Sequence, residues 1–304
     1  MGEVGMSSPD RTRQLRDDET MNLGAANLSS PLLIVCNMNR SALLRCGWLI
    51  AVLAWGWQSG SAQTPVRHLE GSLHGFLSLS AQDGKVAAVG ELSQVARGST
   101  VTGRLIFHFR DGSLDDETTV FSERGTFRLI SYHHIQTGPS FPKPTDLTID
   151  MSQGRVTSRS PGKDGAPVTT SYTMKLPPDL ANGLVSIIAK NIRPDTPMTK
   201  VPMLVLTPKP LVVTLAISPS GQDPYDFLGV PHKALHYAVQ IQLGGLTGVV
   251  ATLIGKHPPD IQLWILPGDG PTFLREVGPS AQDGPVWTMQ LASPNWPEAP
   301  HPAP

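Results

Sequence analysis

The sequence predicts a mainly β fold of the α+β class: a strongly curved antiparallel sheet or half-barrel with two packed short helices. Three observations lead to this prediction. Apolar and polar residues alternate in fourteen short segments, turn residues separate those segments, and two other stretches carry apolar residues at helical spacing. The chain has 29 glycines and 29 prolines among its 304 residues, a content that supplies the many tight turns of such a sheet.

An export leader is predicted before the folded part. The run from Cys46 to Trp57 holds 12 residues, is apolar in character and follows Arg40 and Arg45. A helix that spans a bilayer needs about 20 apolar residues, whereas the core of a signal peptide needs about 7 to 15. We therefore interpret residues 38–62 as a signal peptide cleaved near Ala62. This places the mature chain in the periplasm or outside the cell and predicts no membrane span.

The leader determines how the rest of the chain is divided. Residues 1–37 are interpreted as a polar extension or an artefact of start-site choice, with Met38 as the initiator. Residues 63–293 form the predicted single β-rich domain, and residues 294–304 form a Pro-rich disordered tail that cannot pair as a strand. Both cysteines precede the cleavage point, so the mature chain is predicted to have no disulfide and no thiolate metal site.

The clearest strand lies near residue 240. Tyr237, Val239 and Ile241 point to one side while His236 and Gln240 point to the other, which is typical of an antiparallel strand with one wet face. Because the connections are short, neighbouring strands are expected to pair antiparallel. The predicted strands are 73–80, 86–94, 101–110, 117–123, 126–137, 145–151, 154–159, 168–176, 201–207, 210–218, 236–243, 260–266, 272–278 and 285–292.

Two stretches carry helical spacing. The first begins after Pro177-Pro178-Asp179, and the second lies between Gly244-Gly245 and Gly255. Each has one apolar stripe that must be buried, and a curved sheet with its apolar face toward both helices meets that need. The stripes are Leu180, Leu184, Ile187, Ile188 and Ile192 in the first helix and Leu246, Val249, Val250, Leu253 and Ile254 in the second.

The order of these elements resembles secreted bacterial proteins of the lipoprotein-localisation-factor type. The sequence segments on which this resemblance rests are LPPDLANGLVSIIAKNI, GGLTGVVATLIGK, GRLIFHFRDGSL and WILPGDGPTFLREVGP. It covers roughly residues 68–293 and is nearest to an exported branch without an assigned activity. In proteins of this type an unclosed antiparallel half-barrel wraps helices around an apolar cavity. The resemblance implies reversible shelter of a lipid, an acyl chain or another apolar ligand, with no cofactor.

Several side chains of the predicted helices and strands are candidates to face such a ligand. Trp264 shares a strand face with Gln262 and Leu266, so it either lines the rim of a cavity or covers the outside of the sheet. Apolar side chains of the helices and of the strand near residue 240 would line the cavity or fill it as an ordinary core. The residues expected to line the ligand site are Leu184, Ile188, Tyr237, Val239, Ile241, Leu246, Val250 and Trp264.

The sequence predicts neither a partner recognised through net charge nor a reaction indicated by a known catalytic motif. The 24 Lys and Arg residues and 25 Asp and Glu residues leave a formal net charge of -1, which excludes a strongly basic nucleic-acid binder. The acidic run Asp115–Glu117 lacks the spacing of a calcium loop, so we interpret it as a solvated hairpin tip. No nucleophile elbow, zinc-protease helix or Walker loop occurs in the sequence.

The histidines do not predict a metal site. His232 and His236 lie four apart in a predicted strand, about 13 Å from each other, which is too far to share one ion. His133 and His134 are strand neighbours that face opposite sides, so at most one faces the interior. A hydrogen-bonded core or rim position is favoured there over catalysis, and no catalytic residue, metal ligand or cofactor is assigned.

Three functions stay open. The favoured hypothesis is an exported, non-enzymatic binding or carrier protein, which predicts an apolar cavity of several hundred Å³ that reaches solvent. The alternative is a structural or interaction protein of the cell envelope, which predicts a filled core and a pairable edge strand. A hydrolase comes third and predicts a cleft where one histidine meets a carboxylate or hydroxyl within hydrogen-bond reach.

Overall fold

The computed structural model describes residues 63–162, 164–206, 209–227, 229–242, 260–280 and 284–292. The predicted leader, the second predicted helix and the predicted Pro-rich tail lie outside these residues, so what the sequence predicts for them stays a prediction.

Fourteen strands follow one another along the described residues, and each overlaps one of the fourteen predicted segments. The mainly β, antiparallel prediction is therefore confirmed. Buried side chains recur at alternate positions in parts of these strands, as at Leu77 and Leu79 of β1 and at Tyr237 and Val239 of β11, in line with the alternation in the sequence. The strands are β1 (Leu73–Ser80), β2 (Val86–Arg97), β3 (Thr100–Phe109), β4 (Leu114–Ser122), β5 (Arg128–Thr137), β6 (Thr145–Asp150), β7 (Arg155–Pro161), β8 (Pro167–Thr173), β9 (Thr199–Leu206), β10 (Pro210–Phe227), β11 (Val230–Gln242), β12 (Ile261–Leu266), β13 (Thr272–Pro279) and β14 (Val286–Leu291).

All fourteen strands belong to one sheet, in the order β8-β7-β6-β5-β4-β3-β2-β1-β14-β13-β12-β11-β10-β9. The first eight strands form one antiparallel meander and the last six form another. Antiparallel pairing of β1 with β14, in which Leu77 lies opposite Leu291, joins the two meanders. The edge strands of the described sheet are β8 and β9.

The sheet is open and does not show the strong curl of a half-barrel, so that part of the prediction is wrong. Much of the apolar face is covered by a single helix, α1 (Val185–Asn191), and by the segment that leads into it, residues 174–184. Because these residues bury the face, the sheet does not have to bend far round to cover itself.

The described residues contain one helix, not the two predicted, and this helix is shorter than the sequence indicated. It has seven residues and begins at Val185, whereas the apolar stripe predicted a start near Leu180. The reason lies at Gly183, whose φ of +70° is outside the helical region and interrupts the helix geometry. The second predicted helix, 246–254, falls outside the described residues.

The segment before α1 covers part of edge strand β9. The Leu204 N–H donates to Asn182 Oδ1 at 2.8 Å, and Asn182 Nδ2 donates back to the Leu204 carbonyl at 2.9 Å. The Ala181 N–H donates to the Pro202 carbonyl at 2.8 Å. The side-chain amide of Asn182 therefore satisfies the backbone of β9 in the way that a neighbouring strand would.

The main hydrophobic core lies between α1 and the sheet. Ile187 and Ile188 of the helix belong to the same buried cluster as Phe121 and Ile149 of the first meander and Leu263 of the second. The predicted apolar stripe is thus buried as a whole, partly by the helix and partly by the residues on either side of it. At about 25 cal/mol per Å² of buried apolar surface, this cluster is a principal source of stability.

The last turn of α1 fixes the chain segment that precedes β1. Asn191 Oδ1 accepts the backbone N–H groups of Arg67 and His68 at 2.7 and 2.8 Å, and Asn191 Nδ2 donates to the Ile187 carbonyl at 2.9 Å. Since Asn191 is buried, these bonds give both polar atoms of its side chain a partner away from water.

A buried ion pair lies beside this anchor. Lys190 Nζ donates to Glu70 Oε2 at 2.6 Å, and the two side chains are only 12% and 5% exposed. Gln94 Nε2 donates to the same Glu70 oxygen at 3.2 Å. The Glu70 backbone N–H donates to Glu123 Oε2 at 2.7 Å, which connects the pair to the end of β4.

Candidate functional site

A cavity of about 500 Å³, partly open to solvent, lies between the sheet and the beginning of α1. Both meanders and the helix contribute to it. Its apolar lining is larger than its polar lining, which is the usual character of a ligand site. The described lining residues are Leu79, Leu105, Phe107, Asp115, Glu117, Tyr132, His134, Gln136, Thr145, Leu147, Asn182, Gly183, Val185, Ser186, Met203–Leu206, Ile241, Ile261, Glu276, Gly278–Ser280, Gly284, Trp287 and Met289.

The polar wall of the cavity comes from alternate positions on two paired strands. Tyr132, His134 and Gln136 lie at every second position of β5, so they face the same side of the sheet. Asp115 and Glu117 do the same on β4. The register places Asp115 opposite Gln136 and Glu117 opposite His134, which brings the five side chains together.

Hydrogen bonds connect this wall into one network. His134 Nε2 lies 2.8 Å from Asp115 Oδ1, and Gln136 Nε2 donates to Asp115 Oδ2 at 2.9 Å. Gln136 Nε2 also donates to the carbonyl of Ser280 at 2.9 Å. Ser280 directly follows β13, so this bond joins the two meanders. The Tyr132 hydroxyl donates to Glu117 Oε2 at 2.8 Å. Both Asp115 oxygens are thus occupied, whereas Glu117 has one oxygen engaged.

Burial disfavours negative charge on this wall. It raises the pKa of Glu117 above its usual value, although the charge of His134 and the hydrogen bond from Tyr132 act in the opposite direction. Burial, followed by the charge of Glu117, raises the pKa of Tyr132 well above its ordinary value. Tyr132 therefore stays protonated at neutral pH and acts as a hydrogen-bond donor.

His134 is held in its protonated form by its carboxylate neighbours. Burial by itself lowers the pKa of His134, but the hydrogen bond with Asp115 and the charges of Glu117 and Asp115 together raise it above its ordinary value. The side chain is 17% exposed and its partner Asp115 is 13% exposed. The resulting His134–Asp115 pair is a shielded charge pair on the cavity wall.

A third acidic side chain lines the cavity from the second meander. Glu276 lies on β13, opposite Met289 of β14 in the sheet register. Burial raises the pKa of the Glu276 carboxyl to about 7, with a smaller contribution from the negative charge of Glu117. No hydrogen bond or ion pair connects the Glu276 side chain to any of the described residues.

The change Glu276→Gln is expected to stabilise the protein above pH 7 by on the order of 1–3 kcal/mol. Folding raises the pKa of this carboxyl from 4.5 to about 7, so the free energy of unfolding of the protein falls as the pH rises through that window. Urea unfolding at pH 4.5 and pH 8 measures this, and the gain should appear at pH 8 alone. Glu91→Gln, at a half-exposed carboxylate, is the control. An equal effect at both pH values contradicts the expectation.

Seven of the eight predicted ligand-lining residues divide into three groups. Ile241 lines the cavity. Leu184, Ile188, Tyr237 and Val239 are buried in the main core cluster. Leu246 and Val250 lie outside the described residues.

Trp264, the remaining predicted residue, lies away from the cavity. Its ring stacks on His236 with centroids 4.4 Å apart and planes inclined by 12°, and the Arg275 guanidinium lies 3.9 Å from the ring centroid. Trp264 Nε1 donates to Asp223 Oδ2 at 2.8 Å. Because Leu263 and Ile265 on either side of it enter the main core, Trp264 faces the other side of the sheet and covers it.

The interpretation of Asp115–Glu117 as a hairpin tip is wrong. Strand β4 begins at Leu114, three residues earlier than predicted, because the turn closes at Asp111-Gly112, where the Ser113 N–H donates to Asp111 Oδ1 at 2.9 Å. The acidic run therefore lies within a strand and alternates between its faces. Asp115 and Glu117 face the cavity, whereas Asp116 pairs with Arg104 on the other side.

The histidine pair behaves as the alternation predicted. His134 faces the cavity, and His133 contacts Asp146 on the opposite side at 3.1 Å. His236 contacts Gln262 at 2.7 Å and stacks on Trp264, so it belongs to the opposite face of the sheet. The cleft with a histidine and carboxylate in contact, predicted for a hydrolase, is thus present at His134.

Sequence reasoning missed Glu276, Tyr132 and Gln136. The alternation of polar groups along β5 was visible in the order Tyr-His-His-Ile-Gln, since a strand that presents three polar side chains toward a core is unusual. For Glu276 the sequence carries a weaker indication, since it is the single acid of a strand that also contains Thr272 and Arg275. Its proximity to β4 depends on long-range packing that no local pattern encodes.

Among the residues that the structure describes, no group of three or more His, Cys, Asp or Glu side chains is arranged to hold a metal ion. Within the same residues, no helix has the length and apolar character needed to cross a bilayer.

Comparisons with models of known protein families, with curated proteins and with solved structures gave no match to this chain.

Proposed function

We propose that the protein binds and carries an apolar ligand in this cavity, as the resemblance to lipoprotein-localisation factors implies. A volume of about 500 Å³ lies within the range of ordinary ligand sites, about 300 to 1,000 Å³. Each methylene group buried there contributes about 0.8 kcal/mol, so a medium-length chain suffices for useful affinity. Leu105, Phe107 and Leu147 provide part of the apolar lining.

The open cavity is the single observation that carries this proposal. The structural alternative requires a filled interior, and close packing is the common state of a protein core. Here Leu184, Ile188 and Tyr237 fill the neighbouring core, yet space is left at the beginning of α1. We further propose, from the predicted leader, that the carrier acts in the periplasm or outside the cell.

The proposal is tested by native mass spectrometry of the full chain, expressed with its leader and recovered from the cell envelope. Dodecanol is the added probe. We expect one bound probe molecule on the native protein. Ser186→Trp should reduce uptake at least about tenfold, because an indole at this lining position fills the cavity that the chain would occupy. Ser93→Trp, at an exposed position of β2, is the matched control.

Absence of uptake by the native protein, or equal uptake by Ser186→Trp and Ser93→Trp, contradicts the proposal. Either result would favour the structural hypothesis. Circular dichroism of both variants checks that the sheet has formed, so that loss of binding in Ser186→Trp is not mistaken for loss of folding.

The contact between His134 and Asp115 favours general acid–base catalysis as a second candidate function. A histidine oriented by a carboxylate inside a cleft is the arrangement that many hydrolases use. No serine or threonine hydroxyl among the described residues is hydrogen-bonded to His134, so water would be the attacking group. The same mass spectra test this hypothesis with a dodecyl ester probe, whose cleavage by the native protein and not by His134→Gln would support catalysis.

A further inference from the structure

We propose that the ligand carries a cationic amine headgroup, which lies between Glu276 and the Asp115–Glu117 wall while its apolar chain occupies the rest of the cavity. This inference rests on the proposed function. It concerns the same cavity but adds the chemical class of the ligand. A carrier of fatty acids or of anionic lipid headgroups would need the opposite charge at this position.

The charge of the lining supports the inference. Three carboxyl groups and one histidine line the cavity, and no lysine or arginine is present among its described lining residues. One of the carboxylates, Asp115, is compensated by His134. Glu117 and Glu276 have no cationic partner of their own among the described residues. A positive headgroup would supply the missing charge, whereas a carboxylate or phosphate would add repulsion in a weakly solvated site.

The free hydrogen-bonding positions match an ammonium group. Both oxygens of Asp115 are engaged, and Glu117 Oε2 accepts from Tyr132. Glu117 Oε1 and the two Glu276 oxygens have no hydrogen-bond partner among the described residues. A primary ammonium group has three N–H donors and no acceptor, so it can satisfy these three positions. These three oxygens belong to side chains that line the partly open cavity, and none of them is a fully buried atom without a partner, so a ligand ammonium can reach them from the cavity.

The neighbouring groups determine how pH acts on this site. The titratable groups that line the cavity around Glu276 are Asp115 and Glu117 on β4 and Tyr132 and His134 on β5; the helix contributes only uncharged lining residues. Because the pKa of Glu276 is about 7 without ligand, a cation binds best once that carboxyl is ionised. Below pH 7 the affinity should fall by up to about tenfold per pH unit, and above it the affinity should level off.

Three probes with the same twelve-carbon chain test the inference: dodecylamine, dodecanol and dodecanoic acid, each below its micelle concentration. Isothermal titration calorimetry of the full chain gives their affinities at pH 6, 7 and 8. At pH 8 we expect dodecylamine to bind at least about tenfold more tightly than dodecanol, and dodecanoate more weakly than either. Only the amine should gain affinity between pH 6 and pH 8.

Two variants assign the effect to Glu276. Glu276→Gln should lower dodecylamine affinity about tenfold or more at pH 8 and flatten its pH dependence, and this loss should exceed any change in dodecanol affinity. Glu91→Gln removes a carboxylate on the surface and should change none of the three affinities. Unfolding curves confirm that both variants are folded.

The outcomes separate the two proposals. If dodecanol binds and dodecylamine binds no more tightly, or if Glu276→Gln leaves amine affinity unchanged, the headgroup inference is overturned and the carrier proposal stands. If none of the three probes binds, the proposed function fails and the inference fails with it.

Discussion

Lys190→Met is expected to lower the free energy of unfolding by about 3–5 kcal/mol, because it leaves a buried carboxylate without its cation. Glu70 is 5% exposed, and among the described residues only Gln94 would then donate to its side chain. Methionine keeps most of the length of the lysine side chain, so the loss reflects charge and not a cavity. Guanidinium chloride unfolding followed by circular dichroism measures it.

Two further variants make this expectation specific. Glu70→Gln combined with Lys190→Met should recover much of the lost stability, because a neutral amide in that position no longer requires a cation. Lys85→Met is the matched surface control, since the Lys85 side chain is 84% exposed and its pair with Asp83 is screened by solvent, so that its loss should change stability little. Equal losses for Lys190→Met and Lys85→Met would show that the buried pair has no special role.

Gly183→Ala is expected to cost about 2–4 kcal/mol, from backbone strain and from steric overlap together. Gly183 has a φ of +70°, a conformation in which any side chain is strained. An added Cβ would also overlap the side chain of Thr119, which is buried on β4. Since Thr119 cannot move into solvent, β4 and the turn before α1 would have to separate.

Gly84→Ala separates the two contributions. Gly84 has a φ of +80°, and a Cβ there meets no atom within 4 Å. Its expected cost is about 1–2 kcal/mol of backbone strain alone. Thermal unfolding of both variants gives the steric part at Gly183 by difference. If the two substitutions cost the same, the close approach of the turn to Thr119 does not contribute to stability.

The strands were predictable because their chemistry is local. In β11 the alternation of Tyr237, Val239 and Ile241 with polar neighbours reports directly on which side is buried. The helix was less predictable, since Leu180 and Leu184 have helical spacing yet lie in a turn that Gly183 and Asn182 impose through contacts with β4 and β9. Spacing alone does not contain those contacts.

The site was predictable only in part. That one of His133 and His134 faces inward follows from strand geometry, and His134 does so. The strand start at Leu114, on which the orientation of Asp115 and Glu117 depends, was placed three residues late, and the acids were therefore assigned to solvent. The open or filled state of the interior depends on how α1 packs against both meanders, which is a property of the whole fold.

Asn182 also affects whether two molecules of this protein can associate through the edges of their sheets. Its side-chain amide, with the N–H of Ala181, occupies backbone groups at the middle of β9, and Pro202 has no N–H to offer. A strand from another copy therefore cannot extend the sheet there without displacing that asparagine. The other border, β8, presents mainly exposed threonine, serine and similar polar groups. Sheet extension from one molecule to the next is thus disfavoured at β9 by a competing hydrogen-bond partner, whereas β8 exposes one large apolar side chain, Val168, among its polar residues.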